Sequence, residues 1–141
     1  IDLVAGSVGE FWTRLCHAKV PGFSDRNVEE LAARARRFGH GLQLVNILRD
    51  RRADAEIGRI YVPDHRFYEV LNTIPPLLDE GHAYAAAIKP RLLRASAALP
   101  EMLARRTLDL VVQHPLGENL RVPRHAVYAC LLRSLLLPSP R

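Results

Sequence analysis

The sequence predicts an all-α fold, and three observations carry that prediction. Val28, Leu31, Ala32, Ala35, Phe38, Leu42, Val45 and Leu48 place apolar side chains at helical intervals over one long stretch. No segment sustains the period-two alternation of a half-buried strand, and no hairpin turn joins two β-branched runs. Proline and glycine fall where periodic segments end, at Pro21-Gly22, Gly58, Pro63 and Pro90.

The elements follow in order. Phe11, Trp12 and Leu15 predict a helix from the start of the chain to about Cys16. Gly6 and Gly9 each cost such a helix up to about 1 kcal/mol against alanine, which implies close approach by another helix or by a ligand. Lys19 to Phe23 is a loop, and Ser24 is the expected N-cap of the long helix that follows. Asp25 and Glu29 complement its dipole as capping chemistry, although their spacing imitates a metal pair. That helix runs to Ile57, where Gly58 stops it. Residues 59 to 64 form a loop and Arg66 to Leu71 a short helix. Pro75-Pro76 is expected to open another helix reaching Ile88, since proline belongs in a first turn. Pro90 breaks the chain before Leu92 to Leu99, and Pro100 opens a helix from Glu101 to Val112. His114 to Val122 is a polar loop, and Arg124 to Leu136 a final amphipathic helix.

A chain of 141 residues with 48% hydrophobic and 25% charged content supports a single soluble domain with a real core. Apolar runs such as Leu110 to Val112 are far too short to span a bilayer, and no charged-then-apolar leader opens the chain. Its first residue is Ile1 and its opening reads as mid-helix, so a preceding segment is expected. Cys16 and Cys130 stand apart without ligand-spaced histidines, as reduced core thiols in a cytoplasmic setting. The formal charge of +5 is carried mostly by arginine clusters and favours polyanions: nucleic acid, acidic lipid headgroups or diphosphates. Nucleic acid is the poorest of the three, because no recognition motif is present and the aromatics are not interleaved with the basic clusters.

The functional signal lies between Gly39 and Pro63. Asp50-x-x-x-Asp54 advances about 40° past a full turn and about 6 Å along the axis, so both carboxylates point the same way. Gln43 and Asn46 precede them within an arc of roughly 80°. Acidic pairs at this spacing are common on solvated faces, and Arg49, Arg51 or Arg52 would neutralise them there. The amides argue for more, since they interrupt the apolar run Phe38 to Leu48 on a face expected to be buried, where a polar group needs a partner or a function. Paired carboxylates on a rigid element suit Mg²⁺ and a phosphate-bearing ligand. Other chemistry is excluded. GxSxG, P-loop and HExxH motifs are absent, and Gly39-His40-Gly41 lacks the third glycine and the strand of a dinucleotide fingerprint.

Gln43-x-x-Asn46-x-x-Arg49-Asp50-x-x-x-Asp54, followed by Gly58-Arg59-x-Tyr61-x-Pro63, resembles the second aspartate-rich motif of the squalene and phytoene synthases. Val4-Ala5-Gly6-x-Val8-Gly9 resembles that family's preceding glycine-bearing helix, and Ala98-Leu99-Pro100 with Arg106-Thr107-Leu108 is similar, less specifically, to C-terminal helices of bacterial members. Ala53 departs from the glutamate common before the second aspartate. The resemblance implies an isoprenoid-synthase-type helical bundle of which residues 1–141 form the C-terminal half, the first aspartate-rich helix lying upstream.

It further implies Mg²⁺-dependent head-to-head condensation of two isoprenoid diphosphates (farnesyl or geranylgeranyl) through a cyclopropyl intermediate. NADPH would be needed if squalene is the product. Asp50, Asp54 and Asn46 are the implied metal ligands, with Gln43 assisting. Arg49 and Arg59 would clamp diphosphate, Tyr61 would close the site, and Phe38, Leu42 and Val45 are expected as apolar walls. An N-terminal half is the implied partner, with at most peripheral membrane contact. The competing expectation is a non-catalytic helical assembly module that keeps the fold.

Overall fold

The computed structural model describes residues 5–115, 117 and 120–138. Among them are five α-helices and no strand: α1 (Ser7–Lys19), α2 (Val28–Glu56), α3 (Phe67–Ala86), α4 (Arg91–Gln113) and α5 (Arg124–Leu135), with a 3₁₀ turn at Asp64–Arg66 before α3. No described helix is long and apolar enough to cross a membrane. The expected start of the first helix at Ile1 to Val4 lies outside the described residues.

α2 is the spine. It contacts α1, α3 and α4, while α3 meets α4 and α4 meets α5. Its apolar stripe feeds two clusters. Leu31 and Ala35 join Cys16, Phe23, Tyr84 and Ile88 near its start. Phe38, Val45, Ile47 and Leu48 join Val62, Phe67, Ile74, Leu78, Ala104 and Val111 further along. Both cysteines are free and buried, as expected.

Several boundaries differ from the sequence expectation. The N-cap of α2 is Asn27, whose Oδ1 accepts from the Glu29 and Glu30 amides at 2.8 and 3.4 Å. Ser24 lies three residues before the cap, its hydroxyl donating to the Ala87 carbonyl at the end of α3 and accepting from the Arg26 amide in the preceding turn. The largest difference concerns proline. Pro75 and Pro76 sit inside α3 and Pro100 inside α4, so each pair of expected helices is one continuous rod. Interior proline removes the donor for the carbonyl four residues back and strains the turn. Burial on both sides outweighs that cost: Ile74 and Leu78 bracket the first site, and Ala98 and Glu101 the second. Gly58 ends α2 as expected, with φ 77°.

Gly9 and Gly39 answer the question of close approach. A Cβ on Gly39 would lie 2.4 Å from the Ala5 carbonyl oxygen, and one on Gly9 would lie 2.6 Å from that of Ala35. Both positions serve the contact of α1 with α2. Gly39→Ala is therefore expected to destabilise by about 1–2 kcal/mol despite alanine's better helix propensity, because backbone rather than a side-chain tip must move. Chemical denaturation would detect it, and an unchanged midpoint would refute the contact.

The Arg34, Arg36 and Arg37 cluster is consumed internally. Arg34 and Arg37 both reach Glu80 of α3, at 2.7 and 2.9 Å, and Arg36 lies 3.6 Å from Glu10. Hydrogen bonding from Arg37, then the charges of Arg37 and Arg34, hold the Glu80 carboxyl below its ordinary range. A carboxylate whose folded pKa is depressed stabilises the fold above its unfolded pKa and loses that contribution as pH falls through the folded one. Glu80→Gln is expected to cost about 1 kcal/mol at neutral pH and nothing in strong acid. Melting curves of both proteins across the acid range should converge as pH falls. Parallel curves would refute the assignment.

Candidate active site

The polar residues of the motif come from the last four turns of α2, a segment held by buried Val45, Ile47 and Leu48. Asp50 and Asp54 are both half-buried. Asn46 is exposed and Gln43 half-buried, so the amides do not occupy a buried face. The apolar run hides this in sequence: at 100° per residue, Asn46 projects outward between Val45 and Ile47, both of which turn in. The amides therefore need no internal partner and are available from the open side.

Arg49 pairs with Asp50, the neutralising contact that the sequence also allowed. Projected on a wheel it points away from the acidic arc, yet its side chain curls onto Asp50, Nε donating to Oδ1 at 2.7 Å and Nη2 to Oδ2 at 2.6 Å. Asp50's acceptance of these bonds pushes the Arg49 pKa up. Arg51 has another job. Its guanidinium sits 3.1 Å from the Asp64 carboxylate, donates to the Pro115 carbonyl at 3.1 Å and stacks 4.6 Å over the Phe67 ring, tying the α2–α3 loop to the end of α4.

Arg49 and Asp50 line a hollow of about 430 Å³ together with Leu103 and Thr107 of α4, Leu120, Arg121 and Val122 of the connecting loop, and Val127 of α5. Gln43, Asn46, Asp54, Arg59 and Tyr61 are not in its lining. Arg59 is tied to Asp54 only through its backbone, the amide donating to the Asp54 carbonyl at 2.8 Å, while its side chain and that of Tyr61 are exposed. Arg121 and Thr107 were not expected here. They arrive from more than fifty residues along the chain: Thr107 falls in the Arg106-Thr107-Leu108 stretch singled out by resemblance but given no role there, and Arg121 stands near Arg124 in one of the arginine clusters.

A second hollow, of about 340 Å³ and mostly apolar, opens between α1 and α4 over Phe38, Gly39 and Leu42 of α2, with Val8 and Trp12 on one side and Ala97 and Pro100 on the other. Val45, expected beside it, is in the core instead. α2 and α4 run in the same direction here, since Leu42 shares a hollow with Pro100 and Arg49 shares one with Leu103 and Thr107. Seven residues from Leu42 to Arg49 correspond to about 10 Å. One seam thus presents an oily end and a charged end.

Among the described residues no three His, Cys, Asp or Glu side chains gather. Two carboxylates with neighbouring amides give an all-oxygen donor set, which suits Mg²⁺. That ion typically takes one or two protein carboxylates and completes its shell with water and phosphate oxygens. Asp50 retains lone pairs beyond those Arg49 occupies.

Residues 1–73, which contain α1, α2 and the whole motif, match the squalene/phytoene synthase family. The chain belongs to that family. Among curated relatives, the bifunctional lycopene cyclase/phytoene synthase of Neurospora crassa is 48% identical over 61 residues, covering 43% of this chain and 10% of the relative. The corresponding protein of Phycomyces blakesleeanus is 46% identical over 61 residues, with the same shares. Presqualene diphosphate synthase of Rhodopseudomonas palustris is 34% identical over 103 residues, 73% of this chain and 29% of the relative. The chain thus spans between a tenth and three tenths of these relatives. The all-α architecture accords with the squalene/phytoene synthase assignment.

Proposed function

We propose that this chain forms a diphosphate-binding wall of an enzyme that condenses two isoprenoid diphosphates head to head, of phytoene or presqualene type. The observation that carries the reading is the seam itself: Asp50, Arg49 and Arg121 in one hollow and an apolar hollow about 10 Å along the same pair of helices. A prenyl diphosphate has that polarity, one multiply charged end and one hydrocarbon end.

In this reading Asp50, Asp54 and Asn46 hold Mg²⁺, with Gln43 orienting the set. Bound Mg²⁺ would supply neutralisation of the charge that builds on the departing diphosphate. Arg49 and Arg121 donate N–H groups to diphosphate oxygens, in the bidentate geometry guanidinium favours. Arg59 and Tyr61, exposed on the loop after α2, cover the ligand from the open side. Phe38, Leu42 and Trp12 surround the prenyl chain and keep water from the allylic cation that forms as its C–O bond breaks. Farnesyl or geranylgeranyl diphosphate is the substrate, and NADPH enters only where the product is squalene.

The Arg49–Asp50 pair favours one other reading, a helical assembly module in which that pair only neutralises itself. Calorimetric titration with farnesyl diphosphate separates the two. Binding that requires Mg²⁺ and is abolished by a chelator supports the proposal, and absence of binding with Mg²⁺ present leaves the assembly module.

A further inference from the structure

The apolar hollow has a built stop at the end remote from Asp50. α1 runs antiparallel to α2, since Ala5 lies against Gly39 and Gly9 against Ala35. From Leu42 toward the start of α2 the walls shrink to Gly9, Ala35 and Ala97, and the ring of Tyr84 then fills the way. Tyr84 belongs to α3 and is 3% exposed, yet its hydroxyl lies 2.9 Å from Thr13 Oγ1 on α1. The ring therefore spans from one helix to another across the end of the seam. Behind it Cys16, Phe23, Leu31 and Ile88 are packed together, with no opening beyond.

Two hydroxyls in so apolar a place need partners. Thr13 is fully buried, and its Oγ1 also lies 2.7 Å from the Gly9 carbonyl oxygen. A carbonyl only accepts and a hydroxyl has one proton, so Thr13 donates to Gly9 and the Tyr84 phenol donates to Thr13. Filling the space would require only a phenylalanine. The phenol adds a fixed ring angle, because a ring that swung aside would leave a buried donor unpaired.

Length then decides what fits. From Arg49 to Ala35 is about 21 Å along α2. Each isoprene unit adds four bonds, about 5 Å when extended, so three units need about 15 Å and four about 20 Å. With the diphosphate occupying the charged end, three units reach the Tyr84 ring and a fourth has no room. We infer that Tyr84, held by Thr13, determines chain length in this protein and selects farnesyl over geranylgeranyl diphosphate. This inference rests on the diphosphate reading and fails separately from it.

The molecule contains its own reporter. Trp12, the single tryptophan of the chain, lines the same hollow, so its fluorescence follows occupancy. Titration of the full chain in Mg²⁺ should show farnesyl diphosphate binding on the order of tenfold tighter than geranylgeranyl diphosphate. Tyr84→Leu should bring the two affinities together, whereas Tyr84→Phe keeps the ring and should retain most of the preference. Ala97→Leu narrows the same end from α4 and decides the case even where Tyr84→Leu fails to fold. It should weaken farnesyl binding and leave geranyl diphosphate, one unit shorter, unaffected. A residue that serves folding alone would lower every affinity together and leave the ratios unchanged; circular dichroism checks the fold of each variant. Equal affinity of the parent chain for the two longer ligands overturns the inference while the diphosphate reading stands. So does a preference that a folded Tyr84→Leu preserves, or farnesyl binding that Ala97→Leu does not weaken. Binding of no prenyl diphosphate by the parent chain removes the diphosphate reading and this inference with it.

Discussion

Exchanging Asp50 for alanine is expected to weaken Mg²⁺-dependent binding of farnesyl diphosphate by a hundredfold or so, while the melting temperature moves by no more than a few degrees. The first expectation follows from the donor set. With two carboxylates and neutral amides available, losing one acid removes half the negative charge that attracts the cation, and loss of even an indirect partner of a metal site typically costs about 10–100-fold. The second follows from exposure. The Asp50 side chain is 46% exposed and its partner Arg49 36%, so their pair contributes no more than about 1 kcal/mol to folding. Arg49→Ala then discriminates between roles. A diphosphate clamp predicts weaker binding of the diphosphate with unaltered affinity for the metal. A merely neutralising pair predicts tighter metal binding, because both Asp50 oxygens are released from the guanidinium. Calorimetry with Mg²⁺ alone and with farnesyl diphosphate distinguishes these outcomes. Equal binding by the parent chain and Asp50→Ala would end the proposed role of the acidic pair.

α2 was the most legible part of the chain because its apolar stripe, its glycine stop and its acidic pair all depend on residues within a turn or two of one another. The expected helix, Asp25 to Ile57, and the observed one, Val28–Glu56, differ by a turn at most. The prolines misled for a physical reason. Rules for Pro75, Pro76 and Pro100 weigh a local cost of about 3 kcal/mol each, whereas the helices are decided by burial of Ile74, Leu78, Ala98 and Ala104 against partners far away in sequence. The site divides along the same line. Asp50 was identifiable from spacing, but the exposure of Asn46 depends on which side of α2 its neighbours cover. Arg121 and Thr107 share a hollow with Asp50 only because α4 and the loop after it lie alongside α2. No local pattern records that arrangement.

The largest expected loss of stability comes from Arg94→Met. Arg94 is 2% exposed, yet its Nη1 donates to the Ile88 and Lys89 carbonyls at 2.9 and 2.7 Å, and its Nη2 to the Leu137 carbonyl at 3.3 Å. One guanidinium therefore joins the α3–α4 turn to the segment after α5, and Arg91 adds a second tie, Nε to the Leu135 carbonyl at 2.9 Å. Methionine keeps most of the apolar stem but none of the donors. Hydrogen bonds from a charged donor contribute about 1.5–3 kcal/mol each, and water entering the turn recovers part of them, so a loss of about 3 kcal/mol and a fall in Tm on the order of 10 °C are expected. Arg94→Lys should recover only a fraction, since an ammonium lacks the planar fork that spans three carbonyls. The consequence reaches the site. Val127 of α5 and the loop bearing Arg121 wall the hollow that contains Asp50, so loosening α5 should weaken diphosphate binding from a residue outside that hollow. Hydrogen exchange resolved by segment provides the check: protection should fall first in α5, and a variant that melts with the parent chain would show that Arg94 does not fasten this helix.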